Sequence, residues 1–300
     1  MKVNQLLRLY EKGCRDFAGI DLSRADLQGV TLIAVNFRGA NFRGANLSRA
    51  FLTQSNFSEA QLNWANLSYL KISRGEFHFA NLTKANLTGA FLVQAQLTHA
   101  QLSGANLAYA NLRGSNLQGA NLCGADLRKV NVREANLGGV NFSWSKLTEA
   151  RLSRARLTGA IFAQANLSKA FCKEVDFRGA DLAGINLREA RLAGSNLTQA
   201  NLAGANFQQA NLQGGNFHGA DLSGANLRQA WLQRADLREA KLQRADLRGA
   251  DLTDARLEGA IWEEASWEGA ILPPLSPVEA FALSLLNWHI GGKFSHVSGI

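Results

Sequence analysis

Three of the five histidines, His78, His99 and His218, are the first residues to test for metal or acid–base chemistry. Two imidazoles without a neighbouring carboxylate or thiol make a weak metal site, and surface histidines are the simpler reading. Cys123 has no histidine placed to activate it, so it reads as an inert thiol and not as a nucleophile. Glycine is plentiful but forms no phosphate-cradling loop. No catalytic, cofactor-binding or metal-binding residue is assigned. The residues with usable chemistry are of another kind. Phe51, Phe91, Arg151, Phe171, Arg191 and Trp231 stand whole multiples of one fixed interval apart, the interval from Phe171 to Arg191. Exposed aromatic rings beside arginine are the usual material of protein interfaces.

That spacing follows from a five-residue unit: alanine, a small polar residue, leucine, then two loosely specified residues. Ala85-Asn86-Leu87-Thr88-Gly89 and Ala225-Asn226-Leu227-Arg228-Gln229 are clean copies. The large apolar residue recurs at every fifth position from Phe17 to Leu272. A period of five suits neither a helix nor a flat strand. It suits a chain that runs briefly extended, turns a corner and runs extended again. Leucine and the preceding alanine then point inward. Four such sides would close a square coil of about 20 residues, and about 52 units make about 13 coils, roughly 60 Å of stacked length at about 4.8 Å each. Residues one coil apart then stack in columns, which turns the sequence into a surface map.

The A-(D/N)-L-x-x tandem resembles the pentapeptide-repeat family over about residues 15–272. The resemblance implies an all-β solenoid, a right-handed quadrilateral β-helix. It implies a fold more firmly than a function. Family members include small proteins that imitate DNA to block topoisomerases, and many of unknown role, abundant in photosynthetic bacteria. The formal charge of +8 argues against imitation of DNA, which requires an acidic surface.

The expected organisation is one solenoid with helical caps at both ends. Residues 1–16 read as a capping helix with Leu6, Leu7 and Tyr10 on one face, residues 17–272 as the β-helix, and 273–300 as a capping helix and flexible tail. Ser276-Pro277-Val278-Glu279 is the start signal for that second helix. Leu283 and Ile290 fall outside its apolar stripe and are candidate oligomer contacts, since the family often dimerises through its C-terminal end. Gly39, Gly89, Gly119, Gly179 and Gly249 occupy a corner position where a type II turn needs positive φ. Arg, Lys, Gln or Glu at the same position in other units predicts a second turn type. Leu70 followed by Gly75, and Cys172 followed by Val175, read as packing compensations. A bend near residues 69–80 is an open alternative.

One column carries the aromatic residues: Thr31, Phe51, Lys71, Phe91, Asn111, Asn131, Arg151, Phe171, Arg191, Asn211, Trp231, Asp251. Arg113, Arg133, Arg154, Lys173 and Arg234 share its face, and Trp64 and Trp144 lie on an adjoining one. A second face carries Arg128, Lys129, Lys146, Lys169, Arg188, Arg228 and Arg248, interrupted by Glu149 and Glu189, and reads as mixed solvated charge. Basic residues from Arg234 to Arg248 precede an acidic cluster from Asp251 to Glu268. The scattered cysteines and the absence of a leader-like or spanning apolar run suggest a cytoplasmic protein. The leading functional expectation is a non-enzymatic scaffold or adaptor that binds another protein through the aromatic column. The alternative is an anion or nucleic-acid binder using the arginine-rich columns, with a topoisomerase-directed DNA mimic a distant third.

Overall fold

The computed structural model describes residues 1–273. They belong to two compact units, Met1–Asp176 and a second that begins at Phe177. The sequence predicted a single unbroken solenoid. The division falls just after Cys172 and Val175, where the leucine–alanine pattern of the core is interrupted.

Within each unit the chain pairs in parallel with itself, each position against the one four repeats further on. The bridges run from Asp16↔Asn36 to Arg156↔Asp176 in the first unit, and from Asp181↔Asn201 to Asp251↔Ile271 in the second. Every backbone N–H of a standard five-residue unit has an acceptor. Asn86 N–H donates to the Ala65 carbonyl of the preceding coil, at 2.9 Å. Leu87 and Gly89 donate to Asn106 and Ala108 of the next coil, at 2.7 and 2.9 Å. Ala90 closes the turn on the Leu87 carbonyl, at 2.9 Å. Thr88 N–H donates to the Asn86 side-chain Oδ1, at 3.1 Å. This last bond is an Asx turn, so the recurrent Asn or Asp is more than a polar filler. Its Nδ2 also ladders from coil to coil, as in Asn66 to Asn46 and Asn86 to Asn66.

The corners use one conformation and not two. Gly89 has φ 64° and Gln229 has φ 55°, in turns with the same set of five bonds. Arg, Lys, Glu, Trp and Tyr take the same left-handed corner elsewhere, with φ near 57°. The expectation of a second turn type is therefore corrected. A non-glycine residue in this region costs roughly 1–2 kcal/mol. The corner residue's own N–H bond to the next coil and the turn-closing bond offset that cost, and its side chain points outward.

The central leucine and the alanine before it are buried along both units, except toward the ends of the described chain and at the half-buried Ala160 and Ala180. Phenylalanine replaces leucine in one interior column, where Phe17, Phe37, Phe57 and Phe77 stack at centroid distances of 5.9, 5.2 and 5.3 Å. The absent side chain of Gly75 is taken up by Ile72 and Phe77: a Cβ there would lie 2.4 Å from Ile72 and 3.3 Å from the Phe77 ring. Gly215 and Phe217 repeat the arrangement in the second unit. The compensation thus runs within the turn, between neighbouring inward positions. Parallel pairing continues without a break through residues 69–80.

Helix α1 spans Val3–Glu11 and buries Leu6, while Leu7 and Tyr10 are half-buried. The terminal ammonium of Met1 donates to the Asp21 carbonyl at 2.8 Å. Thr31 stands where Asn or Asp would supply the Asx bond, and the Tyr10 hydroxyl accepts from Ile33 N–H instead, at 3.0 Å. The next deviation is repaired from the interior. Ser55 Oγ accepts from Val35 N–H and donates to the Leu32 carbonyl, both at 3.1 Å. The expected C-terminal helix, with Leu283 and Ile290, lies outside the described residues.

Ser55→Ala leaves a buried donor and a buried acceptor unpaired and is expected to cost about 1–3 kcal/mol, whereas Tyr10→Phe exposes its amide to water and should cost about 1 kcal/mol or less. Urea denaturation measures both, and an unchanged midpoint for Ser55→Ala would remove the bridging role.

Candidate interaction faces

The outward position before each leucine is a choice between two uses. Asn or Asp there binds the backbone; Phe or Trp gives that bond up, because its ring has no acceptor to offer. In the first unit the aromatic residues at this position are Phe51, Phe91 and Phe171, and all three fall in one column. The bridges Phe51↔Lys71, Lys71↔Phe91 and Arg151↔Phe171 place them in register with cations. Phe91 is 42% exposed and Phe51 43%, while Phe171 is half-buried. Lys71 Nζ sits 4.6 Å from the Phe51 ring centroid, and the Arg151 guanidinium 5.9 Å from that of Phe171. In the second unit the corresponding column holds Arg191, Asn211, Trp231 and Asp251, with Trp231 53% exposed.

Sequence reasoning missed Tyr69 and Tyr109. Both occupy left-handed corners that lead into this face, two positions before Lys71 and Asn111. Both are well exposed. The Tyr69 ring lies across the next corner, where a Cβ on Gly89 would come within 2.7 Å of it. The Lys129 ammonium is 5.5 Å from the Tyr109 ring centroid. Their signal was the fifth position of the repeat, read as turn chemistry alone. Trp64 and Trp144 occupy corners of the adjoining side and are exposed as well.

The basic face is largely paired with acids of its own. Arg128 binds Asp126 through Nε and Nη2, the latter at 2.5 Å. Lys129 meets Glu149 at 3.6 Å, Arg188 meets Glu189 at 3.2 Å, and Arg248 binds Asp246 at 2.6 Å. Arg238 and Asp236 repeat the same D-L-R clasp at 2.5 Å. In each clasp the arginine hydrogen bond holds the carboxyl below the usual aspartate value of 3.8. The charge step in the second unit is bridged coil to coil, by Arg234 with Asp254 at 3.8 Å and Arg244 with Glu264 at 2.7 Å. On the first-unit face, Arg113 pairs with Glu134 at 3.1 Å and Lys173 with Glu174 at 3.4 Å.

The histidines separate into unrelated contacts. His78 Nδ1 hydrogen-bonds Thr98 Oγ1, His99 stacks on Phe79 at 5.2 Å, and His218 lies 3.8 Å from Glu239. Among the described residues, no three His, Cys, Asp or Glu side chains are grouped to hold a metal ion. Cys172 is buried at a leucine position, and burial pushes its thiol up to about 12. Cys123 is half-buried. Among the described residues no helix is long and apolar enough to cross a membrane.

The sequence matches the family described as Pentapeptide repeats in 8 copies, over overlapping stretches that cover residues 16–68 and 76–273. The chain belongs to the pentapeptide-repeat family, whose members fold as right-handed quadrilateral β-helices. It is similar to the crystal structure of HetL, a pentapeptide repeat protein involved in heterocyst differentiation regulation in the cyanobacterium Nostoc sp. strain PCC 7120. The two are 29% identical over 92% of this chain and 99% of HetL, with a TM-score of 0.54. A pentapeptide repeat protein of the Arabidopsis thaliana thylakoid lumen is 30% identical over 37% of this chain and 78% of its own, with a TM-score of 0.35. QnrB1, a plasmid-mediated fluoroquinolone resistance protein, is 17% identical over 92% of this chain and 99% of its own, with a TM-score of 0.28. A comparison with proteins of curated function found no significant match.

Because the clasped aspartates titrate below their unfolded value of 3.8, their contribution to stability is complete above that pH and is lost as pH falls through the lowered values. The wild type should lose urea resistance between about pH 4 and pH 2 more steeply than the triple variant Asp126→Asn, Asp236→Asn, Asp246→Asn. Parallel acid profiles would show that the clasps contribute nothing.

Proposed function

We propose that this chain is a non-enzymatic scaffold or adaptor that binds another protein through the aromatic–arginine column. Phe51, Phe91, Arg151 and Phe171 are its contacts in the first unit, and Arg191 and Trp231 in the second. One observation carries the reading. In the first unit, each aromatic residue at the outward position gives up an Asx bond worth about 1 kcal/mol and leaves a ring at least partly in water. Asn or Asp is replaced in every column of the first unit, by Gln61, Glu76, Lys146 and Ile161 among others, but the three aromatic replacements all fall in one. Tyr69 and Tyr109, on the corner leading into the same face, enlarge the patch with side chains suited to interfaces.

The mechanism is rigid presentation. Phe51 and Phe91 are two coils apart, about 10 Å at coil spacing. A partner meets rings whose positions are already fixed by the hydrogen-bonded backbone, so little ordering entropy is lost on binding. HetL, which is involved in regulation of a differentiation process, lends support to a regulatory role. The positive net charge disfavours a DNA mimic directed at topoisomerase. Pairing of Arg128, Lys129, Arg188 and Arg248 with acids disfavours the anion or nucleic-acid alternative.

The repeat count corresponds to about 13 coils across the two units. Residues 1–16 act as a cap, which buries Leu6 and completes the first turns through Tyr10. A homodimer contact through Leu283 and Ile290, which lie outside the described residues, belongs to the same proposal. Cysteines without a disulfide pattern suit a cytoplasmic location.

The test is capture of the partner from the protein's own cells by the immobilised full chain, with Phe51→Ser/Phe91→Ser and Trp231→Ser compared with the wild type. All should fold normally, and the first-unit double variant should lose at least about tenfold in captured partner. Undiminished capture by both variants rejects the column. A fall of several orders of magnitude in affinity between low and moderate salt would instead favour the phosphate reading.

A further inference from the structure

Beside Trp231 the second unit carries an open groove of about 830 Å³. Arg191, Gln209, Asn211, Gln229, Trp231 and Asp251 line it, and its corner side ends at Gly249. The groove follows two neighbouring columns, and from Glu189 to Gly249 it crosses three coil steps, about 14 Å at coil spacing.

The charged groups in this groove are already engaged. Glu189 pairs with Arg188 at 3.2 Å. Asp251 accepts from Thr253 N–H and Oγ1 through Oδ1, and from Gln233 Nε2 through Oδ2 at 2.6 Å. The neutral amides keep capacity in hand. Gln209 Nε2 donates to Gln229 Oε1 at 3.0 Å, which leaves the carbonyl of Gln209 and the NH2 group of Gln229 for other partners. Asn211 uses Oδ1 for the Gln213 N–H, at 3.1 Å. Its Nδ2 hydrogens are not needed for that bond. The half-exposed indole of Trp231, paired in register with Asn211, lines the same groove.

We propose that this groove is a binding subsite for a neutral oligosaccharide about three sugar units long. One sugar ring stacks its C–H face on Trp231, while hydroxyls of the chain bond to Gln209, Asn211 and Gln229. A hydroxyl both donates and accepts, so a polyol can satisfy each amide it covers. An apolar protein side chain laid across those amides would strip their water and return no hydrogen bond, so a protein contact here would have to rest on Trp231 and Arg191 and leave the amide row uncovered. A phosphate-bearing chain would meet two carboxylates, Glu189 and Asp251, against the single cation Arg191. The inference goes beyond the protein-binding reading, although the two share Arg191 and Trp231.

Isothermal titration and saturation-transfer NMR of the full chain with maltotriose, cellotriose, laminaritriose and chitotriose provide the test. At least one trisaccharide should bind with a Kd on the order of 1 mM, and Trp231→Ala should weaken it by at least about tenfold. Gln209→Ala/Gln229→Ala should weaken it by roughly threefold to tenfold, and Trp144→Ala should leave it unchanged. Failure of all four sugars to bind, or wild-type affinity in Trp231→Ala, overturns the proposal. Should Trp231→Ala misfold by circular dichroism, the double glutamine variant decides, and an unchanged Kd overturns it. Phe51→Ser/Phe91→Ser separates the two readings: it should reduce protein capture and leave the sugar affinity intact.

Discussion

The structure depends on hydrogen bonds that run between a residue and its counterparts in the coils on either side. Three of the five amides in each unit are committed to this axial ladder, in either direction. Once those bonds are in place, the corner must recur at each fifth residue whether or not glycine is available. This explains why Trp64, Tyr69 and Glu239 all accept a left-handed backbone. The ladder overrides the local preference because each coil makes the bonds on all four sides together. The interior adds burial of stacked leucine and phenylalanine, which is generous but unspecific in register. The bonds set the register, and burial supplies the driving force.

Of the other two amides, one closes the turn on a carbonyl and the second makes the surface informative. Its acceptor is a side chain, so any departure from Asn or Asp removes a structural bond unless another group replaces it. The departure at Thr31 is repaired, and so is the turn-closing bond of the same unit. The Tyr10 hydroxyl serves Ile33, and the Ser55 hydroxyl rebuilds the turn at Val35. Phe51, Phe91 and Trp231 bring no acceptor of their own, and their rings remain about half in water. A structural default abandoned at stacked positions is a stronger mark of use than exposure alone, because isolated exposed aromatic residues are common.

Much of this was legible in the sequence. The fivefold period of Phe17, Leu22 and their successors fixed which side chains face inward. Stacking at every fourth repeat placed Phe51, Phe91 and Phe171 in one column. Three features were not legible, each for a physical reason. The single corner type was hidden because propensity argues residue by residue, whereas the ladder acts on a whole coil. Tyr69 and Tyr109 were hidden because the corner position signals a backbone angle, which says nothing of what its side chain displays. The pairing of Arg128 with Asp126, and of Arg248 with Asp246, was hidden because faces were tallied by column, while the D-L-R clasp closes across a single turn. The division after Asp176 had a faint signal in Cys172 and Val175.

The fixed interval between paired positions, one full coil, also governs how such a chain can lengthen. Duplication of one five-residue unit would preserve every buried contact type yet rotate all later side chains of that unit by a quarter-turn. An aromatic row would then be split between two sides. Only gain or loss of a full coil keeps the row straight. Growth of the molecule and continuity of its display surface are therefore tied to different genetic steps, and a lineage that keeps a straight row must add material four repeats at a time.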